Sequence, residues 1–250
     1  MTIKKLIKNF YDEQSEKRNT TRQKIWPEYK IILEEIKNHK NKDIKILDLG
    51  CGNANILSYL NENNNYHNKN IKYIWWDISN NLIQIAKNNH PESIFYSDDM
   101  IEILKKFKQE EFDFVIMIAS FQHIDSEKER LLILKNIYRI LKFKWKLISI
   151  NWCFSKWFIK KYKKEVWKSL LKSIFTLNYL KYNDIYIPWK WENKIYYRYY
   201  HIFNENEKSK LIKLAWFVSK NPIYLDKKWN NTNLSNWRNS IFIAKKDIFK

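Results

Sequence analysis

The stretch Lys45-Ile-Leu-Asp-Leu-Gly-Cys-Gly-Asn-Ala-Asn-Ile-Leu57 constrains this chain more than any other. Ile46, Leu47 and Leu49 form a short apolar run of the kind shown by a strand covered on both faces. Gly50 and Gly52 follow at its carboxyl end, and they are the only glycines in 250 residues. Glycine kept here points to backbone that must turn, or lie against a ligand, without a side chain in the way. A helix is expected to start just after, with free N–H groups toward a ligand. In a doubly wound α/β sheet, cofactors sit at such a turn.

The rest of the chain repeats the alternation that begins here. Strands are expected near 44–49, 71–76, 93–96, 112–118 and 146–151, with amphipathic helices between them. Ser79 is placed to cap one helix, Asp125 or Ser126 another, and Asn204 with Glu207 resembles a capping box. A strand near 217–224 and a last strand near 240–244 close the pattern. This predicts a doubly wound, mostly parallel sheet with helices on both faces. Residues 1–40 read as an N-terminal helical cap and 153–190 as a helical insertion, within one domain over 1–250. The insertion mixes lysine with Trp157, Phe158, Tyr162, Trp167 and Phe175.

No apolar run reaches the ~18 residues that span a bilayer, so stable membrane insertion is not expected. The basic N-terminus lacks the apolar core of a secretory signal, and a cytoplasmic location follows as the expectation. Cys51 and Cys153 supply neither a disulfide framework nor a zinc site, so no metal is expected. Net charge is +19, which favours a polyanionic partner such as RNA. Only six of the 46 basic residues are arginine, so part of that charge reflects a general lysine bias.

Glycines after the first strand and Asp77 at the end of the second form a nucleotide signature, in which the acid accepts from ribose hydroxyls. The turn lacks the third glycine of a dinucleotide fingerprint. With Asp48 inside it, Leu-Asp-Leu-Gly-Cys-Gly resembles motif I of class I S-adenosylmethionine-dependent methyltransferases. That resemblance implies a seven-stranded Rossmann-like sheet with an antiparallel last strand. It implies that Gly50 and Gly52 admit the methionine part of S-adenosylmethionine, and that Asp48 orients the loop or the cofactor's amino group. Asp77 would hold the ribose. Asp99 and Met100 would flank the adenine, with Asp98 a neighbouring candidate. Ala119 and Ser120 would border the sulfonium. Asp48 as a turn cap and Asp99 as a plain helix cap are the competing readings.

The flanks resemble a narrower family. Tyr11-Asp-Glu-Gln, Thr21-Arg22 and Trp26-Pro27 are similar to the N-terminal signature of the tRNA methyltransferases that esterify 5-carboxymethyluridine at the wobble position. Ile118-Ala-Ser-Phe-Gln-His-Ile124, Glu129-Arg130, Pro188-Trp-Lys190 and Arg198-Tyr-Tyr-His-Ile-Phe203 continue the likeness in order. The resemblance implies tRNA as partner and, as in eukaryotic members, a small activator subunit. Arg22 and Arg198 are the candidates for holding a carboxylate or phosphate. Tyr199 and His201 would position the uridine, and Trp26 or Trp189 could stack on a base. Core packing is the alternative for Trp26, Trp189 and Tyr199. A structural role is the alternative for His123 and His201, and ion pairing for Arg22, Arg130 and Arg198. A small-molecule O- or C-methyltransferase with 153–190 as a lid is the rival function, and a non-catalytic RNA-binding protein the next.

One anomaly remains. Average usage would give roughly 17 glycines in a chain of this length, and this one has 2, with 12 tryptophans. Trp75, Trp145 and Trp216 stand where the family pattern has glycine, and the last two lie in helix-to-strand turns that favour a left-handed residue. This predicts that some tryptophan positions are glycine in the native polypeptide, through a UGA codon read as glycine.

Overall fold

The computed structural model describes residues 1–21, 26–62, 69–175, 182–191, 193–225, 232 and 239–247. Seven strands form one sheet in the order β3-β2-β1-β4-β5-β9-β8. Their ranges are β1 Asp43–Leu49, β2 Asn70–Trp76, β3 Ile94–Tyr96, β4 Phe112–Ile118, β5 Leu141–Trp152, β8 Phe217–Ser219 and β9 Asn239–Lys246. The first five pair in parallel, whereas β9 runs antiparallel to both β5 and β8. The doubly wound expectation and its antiparallel last strand are met.

Strand periodicity assigns the two faces. On β1, Leu47 and Leu49 point to a core shared with Met100 and Leu104 of α6 (Met100–Lys106), Ile133 and Ile137 of α7 (Glu127–Ile140), and Leu211 of α10 (Glu205–Leu214). Ile44 and Ile46 point the other way, onto Ile32 and Ile36 of α3 (Tyr29–Lys37), Ile56 and Leu60 of α4 (Asn55–Glu62), and Ile83 of α5 (Asn80–Asn89). Each fully buried aliphatic side chain contributes about 1.5–3 kcal/mol, and both faces of the sheet are lined this way. Ser79, Ser126 and Asn204 cap α5, α7 and α10 as expected.

The N-terminal cap is two helices, α1 Ile3–Glu13 and α2 Ser15–Thr21, interrupted at the buried Gln14. Asp12 holds α1 to the start of α5, accepting from Ser79 Oγ at 2.7 Å. Among the described residues the 153–190 segment is helical in its first part alone, through α8 Lys156–Lys161 and α9 Lys163–Phe175. It then forms β6 Asp184–Trp191, which pairs antiparallel with β7 Lys194–His201 as a separate hairpin. Ile185 and Ile187 alternate inward along β6 to a small core with Trp152, Phe158 and Tyr200, which a helix could not bury in that spacing.

The backbone discriminates among the three tryptophans. Trp216 takes φ +68° just past the end of α10, a glycine-type conformation. Beside Trp145 the left-handed residue is Lys144, at φ +70°. Trp145 itself stacks on His39 with ring centroids 3.8 Å apart. Trp75 is buried in β2 between Tyr73 and Phe95.

Candidate active site

Strands β1 and β4 are adjacent, and the sheet winds outward in opposite directions from them. The crevice at their carboxyl ends is therefore the topological switch point. Gly50 sits there with φ +96°, and a Cβ on it would lie 2.2 Å from the Cβ of Ser120. Ser120 donates to the Leu49 carbonyl at 2.5 Å, so the two loops are drawn together at Gly50, where no side chain intervenes. Gly52 has φ +58° but open space around its α-carbon; conformation, not crowding, selects glycine there. Ala54 and Ala119 also have positive φ, at 60° and 53°.

The N–H groups of the turn itself are engaged. Gly50 and Cys51 donate to the Trp76 carbonyl, and Gly52 donates to Asp77 Oδ2 at 2.8 Å. Asp77 Oδ1 accepts from Ser79 N at 2.9 Å. One carboxylate thus fixes the glycine loop against the end of β2 and keeps further acceptor capacity on each oxygen. Burial raises the Asp77 pKa, with the two backbone N–H groups and Arg18 opposing. Asp48 is 2% exposed, and its Oδ1 has no partner among the described residues. Burial, then the neighbouring Asp77, pushes its pKa well above the usual carboxylate range. Such a group calls for a hydrogen-bond donor from a ligand.

A cavity opens over this loop. Asp48, Gly50, Gly52, Asp77, Met100, Ala119 and Ser120 all line it. Asp99 does not: it caps α6 through Ile101 N and Glu102 N, and its other oxygen is paired with Lys4. Asp98 is exposed and paired with Lys106.

The far wall comes from the N-terminal cap, the loop after β4 and the β6–β7 hairpin. Arg198 is 3% exposed, and its Nε and one terminal nitrogen lack partners among the described residues. Its guanidinium lies over Phe10, Trp189 and Tyr200 at 4.7–5.2 Å. Arg18 of α2 lines the same cavity, over Tyr11 at 4.5 Å, again with one nitrogen lacking a partner among the described residues. Neither arginine has a carboxylate partner among the described residues. His123 completes the wall. Its Nδ1 is 2.8 Å from the Tyr199 carbonyl, which can only accept, so the proton is on Nδ1. Nε2 then accepts from the Tyr11 hydroxyl at 2.9 Å. Burial holds the imidazole at a pKa of about 3, with both arginines contributing, and it is neutral.

Two sequence candidates do not reach this cavity. Side chains alternate along β7, so Arg198 and Tyr200 face the cavity while Tyr199 and His201 face away. Tyr199 donates to Asp184, and His201 lies between Asp184 (2.7 Å) and Glu207 (2.5 Å). The period of the strand thus places the Tyr199 and His201 side chains on the opposite face of β7 from Arg198. Arg130 is buried and donates to the Ile124 carbonyl at 2.7 Å. Trp26 and Trp189 border or approach the cavity. Arg22 lies outside the described residues. Arg18 was missed because a lone arginine in a polar helix reads as solvated; no sequence signal separates it from the lysines around it.

Residues 40–206 match the model of the methyltransferase domain family. The chain belongs to that family. It is an S-adenosylmethionine-dependent methyltransferase in fold and family. A tRNA (carboxymethyluridine(34)-5-O)-methyltransferase of Schizosaccharomyces pombe is 25% identical over 215 residues, covering 84% of this chain and 87% of that protein. The Xenopus tropicalis enzyme of the same description is 25% identical over 241 residues, covering 80% of this chain. This methyltransferase spans only 36% of the length of the Xenopus protein. Among solved structures, an S-adenosylmethionine-dependent methyltransferase of Methanosarcina mazei superposes with TM-score 0.65 at 20% identity, over 86% of this chain and 98% of that one. A Haloferax volcanii methyltransferase in complex with the activator Trm112 gives TM-score 0.63 at 12% identity, over 98% and 99%. Among the described residues no helix is long and apolar enough to cross a membrane.

Proposed function

We propose that this methyltransferase esterifies the carboxylate of 5-carboxymethyluridine at the wobble position of tRNA. The observation that carries the reading is Arg198, buried in the cavity wall with guanidinium nitrogens that have no partner among the described residues and no carboxylate beside them. A buried cation left this way is costly unless an anion arrives, and an arginine fork matches a carboxylate in two-point geometry. Arg18 adds a second guanidinium in the same cavity.

S-adenosylmethionine, when bound, supplies an electrophilic methyl group on a sulfonium. The donor set fits it. The unpartnered Asp48 Oδ1 would accept from its ammonium, and Asp77 from the ribose hydroxyls. Gly50 and Gly52 leave the loop bare beside the methionine part. Met100 would border the adenine, with Asp99 next to it as the helix cap, and Ala119 and Ser120 would flank the transferring methyl. A carboxylate acceptor is ionised at neutral pH, so its own oxygen is the nucleophile and no general base is needed. The chain's task is alignment of the acceptor oxygen with the methyl group. Arg198 and Arg18 would hold the carboxylate, Arg22 would reinforce them, and neutral His123 would fix Tyr11 without adding charge. Tyr199 and His201 would act through the hairpin that carries Arg198.

The tRNA partner is supported by the relatives' descriptions and by the net charge of +19. An activator subunit is supported by the Haloferax complex. The test is nucleoside mass spectrometry of tRNA incubated with the protein and labelled S-adenosylmethionine. Label is expected in the methyl ester of 5-carboxymethyluridine; label confined to small metabolites would overturn the reading in favour of a small-molecule methyltransferase.

A further inference from the structure

The hairpin β6–β7 has two working faces. Cross-strand pairs Ile187–Arg198 and Ile185–Tyr200 face the methyl-transfer cavity and its core. The pairs Tyr186–Tyr199 and Pro188–Tyr197 face the other way, toward α9. There a second cavity of about 510 Å³ lies between the hairpin and α9, a volume in the range of single-ligand sites. Asp125, at the end of the loop after β4, lines both cavities, so the two are neighbours.

The chemistry of this second cavity is specific. Its wall is aromatic: Tyr197 is 52% exposed and Tyr186 39%, and Tyr186 meets Tyr199 edge to face at 5.7 Å. Its rim on α9 carries the exposed Lys168 and Lys172, one helical turn apart. Over 156–175 the chain has seven lysines and a single acidic residue, Glu165. Inside are three carboxylates, Asp125, Glu165 and Asp184. Asp184 is already taken by His201 and Tyr199. Carboxylates inside would repel a phosphate but accept from the exocyclic amine of a base. Tyrosine faces stack on any base, and rim lysines suit the phosphates on either side of it.

We infer that the cavity between α9 and the β6–β7 hairpin binds an unpaired, amine-bearing nucleobase of a single RNA strand, next to the nucleotide held for methyl transfer. The inference rests on the proposed RNA substrate and extends it to a second subsite. It gives the lysine–aromatic insertion a function: one hairpin holds the acceptor on its Arg198 face and a flanking base on its Tyr197 face.

The experiment uses the full chain and a synthetic anticodon stem-loop carrying 5-carboxymethyluridine, with the free nucleoside as second substrate. Tyr197→Ala is the main variant, since its ring is half exposed, and Lys168→Glu is the second. Binding of S-adenosylmethionine by calorimetry checks that each variant is folded. The expected result is at least a tenfold weaker affinity for the stem-loop in Tyr197→Ala. Methylation of the free nucleoside and cofactor affinity should stay within twofold of wild type. Stem-loop affinity unchanged in both variants would overturn the inference while leaving the methylation reading intact. Wild-type protein that binds the stem-loop through Tyr197 but forms no ester would overturn the reading and keep the subsite. Wild-type protein that does not bind the stem-loop at low salt would overturn the subsite, and nucleoside methylation would then decide the reading separately.

Discussion

Arg198 and Tyr199 are consecutive residues of β7 and face different cavities, the first over Phe10 and Trp189 beside the glycine loop, the second onto Asp184 beneath α9. Their substitutions should therefore have different consequences. Arg198→Ala should lower kcat/KM for the carboxylate acceptor about a hundredfold, which corresponds to ~2.7 kcal/mol of lost transition-state binding. Its affinity for S-adenosylmethionine should remain unchanged. Tyr199→Phe keeps the ring and loses only the bond to Asp184, so transfer should stay within a few-fold of wild type. Steady-state kinetics with calorimetry on both variants is the measurement. Loss of cofactor affinity in Arg198→Ala would mean that the guanidinium serves the donor side.

Gly50→Ala should fail twice over. The new Cβ would overlap Ser120 Cβ at 2.2 Å, and a φ of +96° strains any L-residue. A cost of about 2 kcal/mol or more lowers Tm by roughly 4–8 °C in a chain of this size, and cofactor affinity should fall with it. Adding Ser120→Gly removes the overlap but not the strain, so the double variant should recover part of the Tm. Gly52→Ala, with open space around it, should lose less. Thermal unfolding of the four proteins tests the order.

Much of this architecture was legible in the chain itself, because its strands are short apolar runs. The run at Phe112–Ile118 gives both ends of β4, and Ser79 and Asn204 announce α5 and α10 through hydrogen-bonding chemistry that acts within three residues. The glycine loop and Asp77 were legible for the same reason: a turn without side chains leaves a local mark. The hairpin was not. Asp184–Trp191 reads as another lysine–aromatic stretch, and its alternation has meaning only once β7 pairs with it. The division of Arg198 from His201 follows from that pairing and was equally invisible. Arg18 enters the site because α2 folds back over the loop, with Asn19 accepting from Asn53 at 2.9 Å. That is a long-range contact with no local signature.

His201 should tie stability to pH. Burial alone would lower its pKa, but Asp184 and Glu207 on its two nitrogens outweigh burial and raise it. A folded-state pKa above the unfolded value of about 6.5 means that the native state holds the proton more tightly. The stabilisation is fully present below pH 6.5 and is lost as pH rises through the folded pKa. Denaturant unfolding of wild type and His201→Gln at pH 6 and pH 9 should show a stability gap that narrows at the higher pH. A gap independent of pH would mean that the imidazole is neutral in the native protein. His123 provides the opposite sign: its folded pKa of about 3 makes it a source of instability as pH falls below 6.5.

Trp216 should be better as glycine, and Trp145 should not. At 216 the backbone sits at φ +68°, which costs an L-residue about 1–2 kcal/mol that glycine does not incur. The indole is 49% exposed and recovers some of this by an edge contact to Tyr138 at 5.7 Å and the Lys135 ammonium over its ring at 4.7 Å. Trp216→Gly is therefore expected to leave stability unchanged or raise it by up to ~1 kcal/mol, where a tryptophan truncation would ordinarily lower it. Trp145→Gly removes the indole stacked on His39 and should cost about 2 kcal/mol or more. Unfolding in denaturant separates the two. The same backbone makes position 216 the place to look for a UGA codon decoded as glycine. Peptide mapping of the protein from its native source is expected to find glycine there. Tryptophan at 216 would mean that the chain bears the left-handed strain and that its scarcity of glycine has another origin.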